Sequence, residues 1–514
     1  MQSDVPNVLL IQADQLAARA LPPYGNAAVA APHIGALAED GVVFENAYCN
    51  NPICAPSRFS MLSGQHTSRI GAYDNGAEFP GDVPTVAHYL RAGGFQTCLS
   101  GKMHFVGADQ LHGYEERLTT DVYPSDYGWT PDWRHPDERV DWWYHNMDSV
   151  REAGPCERTN QIDFDDEVGF HAVRKIYDLA RSPDPRPFFL TVSFTNPHDP
   201  YACPREHWDR YDHAAIPMPA VGYVPDQDLD PHSRRLRRAY GQTPEAATPE
   251  EVRNARHAYY GQISYVDDHI GRLRKALYDT GLDRNTVIVF TADHGDMLGE
   301  KGLWYKMSFF EDSVRVPLIV AGAGLFPTGR VEQPVSLVDL LPTLLEMTGS
   351  PGLADPADRM DGLSLVPLLS GRPFPAQRAV IAEFFAEGSI APCFMVRQGR
   401  YKYIYSRPDP PQLYDLAEDP AERRNLATAD AFREVEERLR QVVFAHQDPE
   451  RLYQAVLASQ KRRRGIFQAG RQGRRTAWDF APLRDAACQY MRNHLDLNAV
   501  EKGARILSRA IGNG

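Results

Sequence analysis

Residues 7–15, NVLLIQADQ, set the pattern for the fold: a short apolar run that breaks off in a carboxylate. The motif recurs. Residues 7–12, 95–99, 188–194 and 286–290 each read as a strand, followed by a polar loop and then, in the intervals, by helical spacing at 84–92 and 251–280. Strands alternating with helices in this way indicate a mostly parallel sheet with crossover helices, an α/β arrangement. The longer helix has a start signal, TPEE at Thr248, and a stop at Gly281.

From about residue 373 the pattern changes. RAVIAEF (378–384), CFMVRQG (393–399) and YKYIYS (401–406) alternate as antiparallel strands do, and residues 431–445 follow as a helix. Three regions are therefore expected: a catalytic domain over 1–372, a smaller α+β domain over 373–447, and a tail over 448–514. The tail is rich in Arg and Gln and shows no clear core period, so it is expected to pack on the main body or on another subunit.

Bulk properties exclude several classes. A 514-residue chain with 43% hydrophobic and 24% charged residues is a globular, enzyme-sized protein of two or three compact units. A formal net charge of -13 argues against nucleic-acid binding, which depends on clustered Lys and Arg. The local basic run KRRRG (461–465) with GRRT (473–476) reads as a solvated face or a subunit contact. Seven scattered cysteines without a CxxC pair suggest neither a disulfide framework nor a zinc site, and fit a reducing compartment. MQSDVPNVLLIQADQ lacks the basic start and long apolar stretch of a signal peptide, and no segment reaches the ~20 apolar residues of a membrane span, so a cytoplasmic protein is expected.

In parallel α/β sheets ligands bind beyond the carboxyl ends of the strands, which brings distant residues together. Those ends carry Asp14 and Gln15; Lys102 and His104; Asn196, His198 and Asp199; and Asp293, His294 and Asp296. Any one set is ordinary loop chemistry, but four in register match a metal site with acid and base groups around it. Asp14, Asp293 and His294, with Gln15 adding a carbonyl oxygen, favour Ca²⁺, Mg²⁺ or Mn²⁺ over zinc.

CAPSRFSMLSG (54–64) resembles the sulfatase signature C-x-P-S-R-x-x-x-L-T-G, with Ser63 where the family usually has Thr. Cys54 alone would pass for a buried structural cysteine. The likeness extends through SGKMH, TNPHDPY, ADHGDMLGE and the Lys306 of GLWYK, covering most of residues 6–445. Within the formylglycine-dependent sulfatases the chain is most similar to choline sulfatases, through YDNGAE (73–78), SGKMHFVG (100–107), QLHGYEERLTTD (110–121), DWWYHN (141–146) and RNHLDL (492–497). Gln15, where many sulfatases have a second Asp, makes the metal site one charge less negative.

The resemblance implies an alkaline-phosphatase-like fold and Cys54 oxidised to formylglycine by a formylglycine-generating enzyme. It also implies one divalent cation, Ca²⁺ foremost, on Asp14, Gln15, residue 54, Asp293 and His294. Hydrated formylglycine would attack sulfur, while Arg58, Lys102 and Lys306 surround the sulfate oxygens and Asn75 donates a neutral hydrogen bond. His198, assisted by Lys306, would protonate the leaving alcohol, and His104 would deprotonate the second hydroxyl to expel sulfate. A quaternary ammonium needs aromatic faces and carboxylates. Trp129 and the run Asp141, Trp142, Trp143, Tyr144, His145 and Asn146 would supply the former, and Glu387 and Asp496 the charge. A homodimer or homotetramer is implied. The competing expectations are a phosphonate monoester or phosphodiester hydrolase of the same superfamily and a non-catalytic choline-sulfate-binding protein.

Overall fold

A computed structural model of the chain describes residues 5–123, 126–138, 145–322, 324–350, 359–472, 482 and 496–506. Asp141, Trp142, Trp143 and Tyr144 of the aromatic run, residues 492–495 of RNHLDL, the GRRT segment and Cys488 lie outside the described residues.

The main sheet has eight strands in the order Gly329–Val331, Gly41–Phe44, Leu318–Gly322, Thr286–Ala292, Asn7–Ala13, Phe188–Phe194, Gln96–Gly101, Glu116–Arg117. Asn7–Ala13 lies at its centre, parallel to both neighbours, and every one of its residues is buried. The four expected strands are the four adjacent ones that form the parallel half. Leu318–Gly322 interrupts the parallel order and runs antiparallel to both of its neighbours. Because strands 7–13, 188–194 and 286–292 are paired in register, Asp14, Thr195 and Asp293 follow at one edge of the sheet.

Local chemistry sets the helix ends. Pro249–Thr280 starts at Thr248, whose side chain and that of Glu251 form a reciprocal capping box, and it stops at Gly281 in the left-handed region (φ +79°). Cys54–Ser63 tolerates Pro56 in its first turn, where backbone N–H groups lack helical partners, and ends at Gly64 (φ +66°). All ten residues of this helix are buried.

A four-stranded antiparallel sheet, Ala379–Phe384, Cys393–Gln398, Tyr401–Ser406 and Gln412–Asp415, forms the second layer system, with helix Arg433–His446 packed on it. Glu383 ties it to the main body by accepting from Ser68 and pairing with His446 (2.7 Å).

The tail differs from its sequence expectation in one respect. Residues Pro449–Gly470 form a 22-residue helix that buries Leu452, Val456, Gln460 and Arg463 along one stripe. Lys461 and Arg462 are solvated, as the basic run suggested, but Arg463 is only 7% exposed. Two of the four stripe residues are polar, so hydrophobic periodicity does not reveal it. No helix among the described residues is long and apolar enough to cross a membrane.

Candidate active site

Asp14, Cys54, Asp293 and His294 come together with ligand atoms all within 4.8 Å of one another, and all four residues are buried. The two carboxylates and His294 come from the ends of the central strands, and Cys54 from the first turn of its helix. The Cys54 sulfur lies 3.2 Å from His294 Nε2, 3.8 Å from Asp14 Oδ1 and 3.8 Å from Lys102 Nζ. Asn75 Oδ1 accepts the backbone N–H of Ala55 (2.9 Å), pinning the start of the helix and leaving the carboxamide nitrogen as its donor.

Burial would raise the Asp14 pKa, but Lys102 foremost, with Arg58, holds the carboxyl well below the usual range. Lys102 Nζ is hydrogen-bonded to Asp14 Oδ2. Burial lowers His294 to about 4, so its imidazole is neutral, the form that ligates metals. Two carboxylates and a neutral imidazole within reach of one point fit a divalent cation. Burial and the Asp14 charge push the Cys54 thiol up to about 11. As a thiol it is protonated and unreactive at neutral pH, the reverse of a cysteine nucleophile; its sulfur stands where the oxygens of an oxidised residue 54 would be.

Arg58 is fully buried. Its guanidinium reaches Asp293 (Nε, 2.9 Å), Asp14 (3.4 Å), Gln12, the Lys102 carbonyl and Ser193. These contacts organise the acidic cluster, and Nη2 has no hydrogen-bond partner among the described residues. Gln15 lies beside the cluster. Its carboxamide oxygen accepts from Lys306, its nitrogen donates to Asp199 (3.2 Å) and Asp296 (2.6 Å), and its backbone N–H donates to Asp293 (3.1 Å).

Lys306 Nζ bridges two imidazoles, His198 Nε2 at 2.7 Å and His145 Nε2 at 2.9 Å. Burial and the Lys306 charge bring His145 down to about 4 and His198 well below its ordinary value, so both rings are neutral. His198 Nδ1 lies 2.6 Å from the carbonyl of Asp199, which makes Nδ1 the protonated nitrogen and Nε2 the acceptor facing Lys306. His104 is neutral too, lowered to about 3 by burial and Lys102, and neither ring nitrogen has a hydrogen-bond partner among the described residues. Its backbone is in the left-handed region (φ +62°), a strained conformation for a residue with a Cβ, held by Asp121 accepting the N–H groups of Met103 and His104.

Aromatic groups and an acid lie around these histidines and Lys306. The His145 ring packs on Tyr305 (4.9 Å between centroids) and edge-on to Tyr240 (5.9 Å); Trp129 meets His104 edge-on (5.5 Å) and Tyr123 (6.0 Å). Glu387 has a buried carboxylate oxygen, Oε2, without a hydrogen-bond partner among the described residues; burial foremost, with the Asp74 charge, raises it to about 7 against the pull of Lys306. Asn146 uses its side chain to accept from Asp148 N and its carbonyl to accept from Tyr305. Asp496 is exposed and caps the helix Leu497–Ala504.

Sequence reasoning passed over Tyr123, whose ring lies 4.4 Å from Lys102 Nζ and whose hydroxyl approaches His198 (3.4 Å), and Tyr240. Neither lies at a strand end. Asp199 and Asp296 stand inside the quoted motifs, and their acidity was the available signal.

A buried cluster of two carboxylates, an imidazole and a residue on a helix start, ringed by Lys and His at the carboxyl edge of a parallel sheet, defines a metal-assisted ester hydrolase. The chain belongs to the sulfatase family, whose model matches residues 6–350. Two further models match, "Choline sulfatase enzyme C terminal" over 454–506 and "N-sulphoglucosamine sulphohydrolase, C-terminal" over 299–448. The chain is 46% identical to the choline-sulfatase of Rhizobium meliloti across 98% of its own length and 99% of that protein, and 28% identical to an arylsulfatase of Clostridium perfringens (85% and 94%). Among solved structures, the phosphonate monoester hydrolase of Agrobacterium radiobacter superposes with a TM-score of 0.69 at 26% identity, covering 86% of this chain and 95% of that one.

Proposed function

We propose that the protein hydrolyses choline-O-sulfate to choline and sulfate. The observation that carries the substrate is Glu387: a buried carboxylate oxygen with no donor among the described residues, close enough to Lys306 and Tyr240 to interact electrostatically with both. A permanent cation that donates no hydrogen bond matches such an acceptor, and Trp129, His145, Tyr240 and Tyr305 supply faces for its methyl groups. The 46% identity to a choline-sulfatase along the whole chain supports the same reading.

Residue 54, oxidised to formylglycine as the family implies, and a divalent cation, Ca²⁺ ahead of Mg²⁺ or Mn²⁺, would together supply an activated hydroxyl nucleophile and charge neutralisation at sulfur. Asp14, Asp293 and His294 would hold the cation, with Gln15 fixing Asp293 through its backbone. Arg58 orients both carboxylates. Lys102, Lys306 and the Asn75 carboxamide nitrogen bind sulfate oxygens. Protonation of the ester oxygen, which a poor leaving group such as choline requires, falls to the Lys306–His198 pair: Lys306 Nζ donates the proton, and His198 Nε2, accepting another of its N–H bonds, holds the ammonium in place. His104, neutral and with free ring nitrogens, accepts the proton of the remaining hydroxyl as sulfate leaves. A homodimer or homotetramer is proposed, in which the exposed Asp496 is offered to a neighbouring pocket.

The phosphonate hydrolase likeness favours a second reading, a phosphodiester or phosphonate monoester hydrolase. Steady-state kinetics on choline sulfate, an aryl sulfate and a phosphodiester, with and without chelator, decide between them. The proposal expects the highest kcat/KM on choline sulfate and loss of all activities with chelator; preference for the diester overturns it. An intact Cys54 thiol by peptide mass spectrometry, with no turnover of any ester, would leave a binding protein.

A further inference from the structure

Arg463 belongs to the basic run 461–465, which the catalytic chemistry does not use, yet its guanidinium is turned into the protein. It forms a fork on Asp74, Nη1 to Oδ1 at 2.5 Å and Nη2 to Oδ2 at 2.7 Å, and Nη1 also donates to Thr130 Oγ1 at 3.0 Å. Asp74 is itself fully buried. One side chain on the C-terminal helix therefore holds two loops: that of Asn75 and that of Trp129, each the immediate neighbour of a residue Arg463 touches.

The packing around this fork is tight. A Cβ on Gly76 would come within 2.6 Å of Thr130 N and 2.7 Å of the Trp129 carbonyl carbon, so the two loops are pressed together at backbone distance. A Cβ on Gly128 would meet the Phe467 ring of the helix at 2.8 Å. Along the same helix, Arg464 pairs with Asp132 (3.2 Å), Gln460 accepts from Trp133 N (3.3 Å), and Tyr453 stacks on Trp133, whose indole N–H donates to the carbonyl of Ala386, the residue before Glu387. The helix thus reaches both the aromatic and the acidic side of the pocket.

The fork has an electrostatic consequence as well. Asp74 is one of the charges that act on Glu387. Arg463 is the cation bonded to Asp74, and without it an uncompensated buried carboxylate would disfavour ionisation of Glu387.

We propose that Arg463 is a positioning residue for recognition of the cationic end of the substrate: through Asp74 and Thr130 it fixes the Trp129 loop against the pocket. This rests on the choline-sulfate reading above. The probe pair is choline sulfate and its isostere 3,3-dimethylbutyl sulfate, in which a carbon replaces the quaternary nitrogen and leaves the tail uncharged. Full-length wild type, Arg463→Met, Arg463→Met with Asp74→Asn, and Arg462→Met at the exposed neighbour are compared, with melting temperatures for each.

Arg463→Met is expected to lose at least tenfold more kcat/KM on choline sulfate than on the isostere, mainly through KM. Arg462→Met is expected to match wild type. The double variant, with neither charge left alone, should recover melting temperature yet keep the narrowed preference, because the loops remain untied. Equal losses on both esters in Arg463→Met, or a full return of the preference in the double variant, overturn the proposal while leaving the substrate reading intact. A wild type that does not distinguish the two esters overturns both. Should Arg463→Met fail to fold, the double variant decides: a wild-type preference there refutes the role.

Discussion

Replacing Glu387 by Gln keeps shape and hydrogen-bonding capacity and removes one charge. A carboxylate and a trimethylammonium roughly 5 Å apart at an effective dielectric of about 20 attract by about 3 kcal/mol. After allowing for the dipole that Gln retains, about 2 kcal/mol is lost, a rise in KM for choline sulfate of roughly 30-fold. The pH dependence sharpens the expectation. The Glu387 carboxyl is raised to about 7, so its anion is present above that pH and disappears as pH falls through it. In wild type the ratio of KM for choline sulfate to KM for 3,3-dimethylbutyl sulfate should fall severalfold from pH 6 to pH 8. In Glu387→Gln the ratio should be flat and equal to the low-pH wild-type value. Initial rates on both esters across that range test it, and using a ratio cancels titrations shared by the two reactions. A Glu387→Gln enzyme with wild-type KM for choline sulfate at pH 8, or one with equal losses on both esters, would refute the charge role of Glu387.

His198→Ala should slow choline sulfate at least 100-fold more than 4-nitrophenyl sulfate, since general-acid help of about 10²–10⁴ is needed only for the poorer leaving group; matching losses in kcat would sink that role. His104→Ala should release one equivalent of alcohol per active site in a burst and then stall, because its base acts after the ester is cleaved; a burst-free progress curve in rapid-mixing experiments counts against it. Arg58→Met should lower the stability of the metal-free protein by about 3–5 kcal/mol, because it removes the buried guanidinium that pairs with Asp293 and, beside Lys102, with Asp14, read as a lower urea midpoint. A normal midpoint with lost activity would instead make Arg58 a direct sulfate contact.

The parallel half of the sheet was legible because its strands are short apolar runs ending in acids, and those ends are where Asp14, Lys102, His198 and Asp293 converge. Helix Pro249–Thr280 was legible through its capping box and terminal glycine. The antiparallel insertion of Leu318–Gly322 was not, since an apolar run carries no mark of direction. The helix Pro449–Gly470 was hidden for a different reason: Gln460 and Arg463 occupy core positions, and their partners Trp133 and Asp74 lie more than 300 residues away. Lys306 was identified as a sulfate contact, but its place between two neutral histidines depends on burial, which spacing does not encode.

Cys54 is 2% exposed, and the helix that bears it is buried along its whole length. No second enzyme could reach that sulfur in the finished fold, nor could it grip a segment whose backbone is already wound into a turn beneath Lys102. Any conversion of the thiol must therefore happen while residues 54–58 are still an extended peptide, before strand Thr286–Ala292 arrives to bring Asp293 and His294 alongside. Maturation of this protein is thus a race between oxidation and folding, and a chain that folds first is locked in the inactive thiol form.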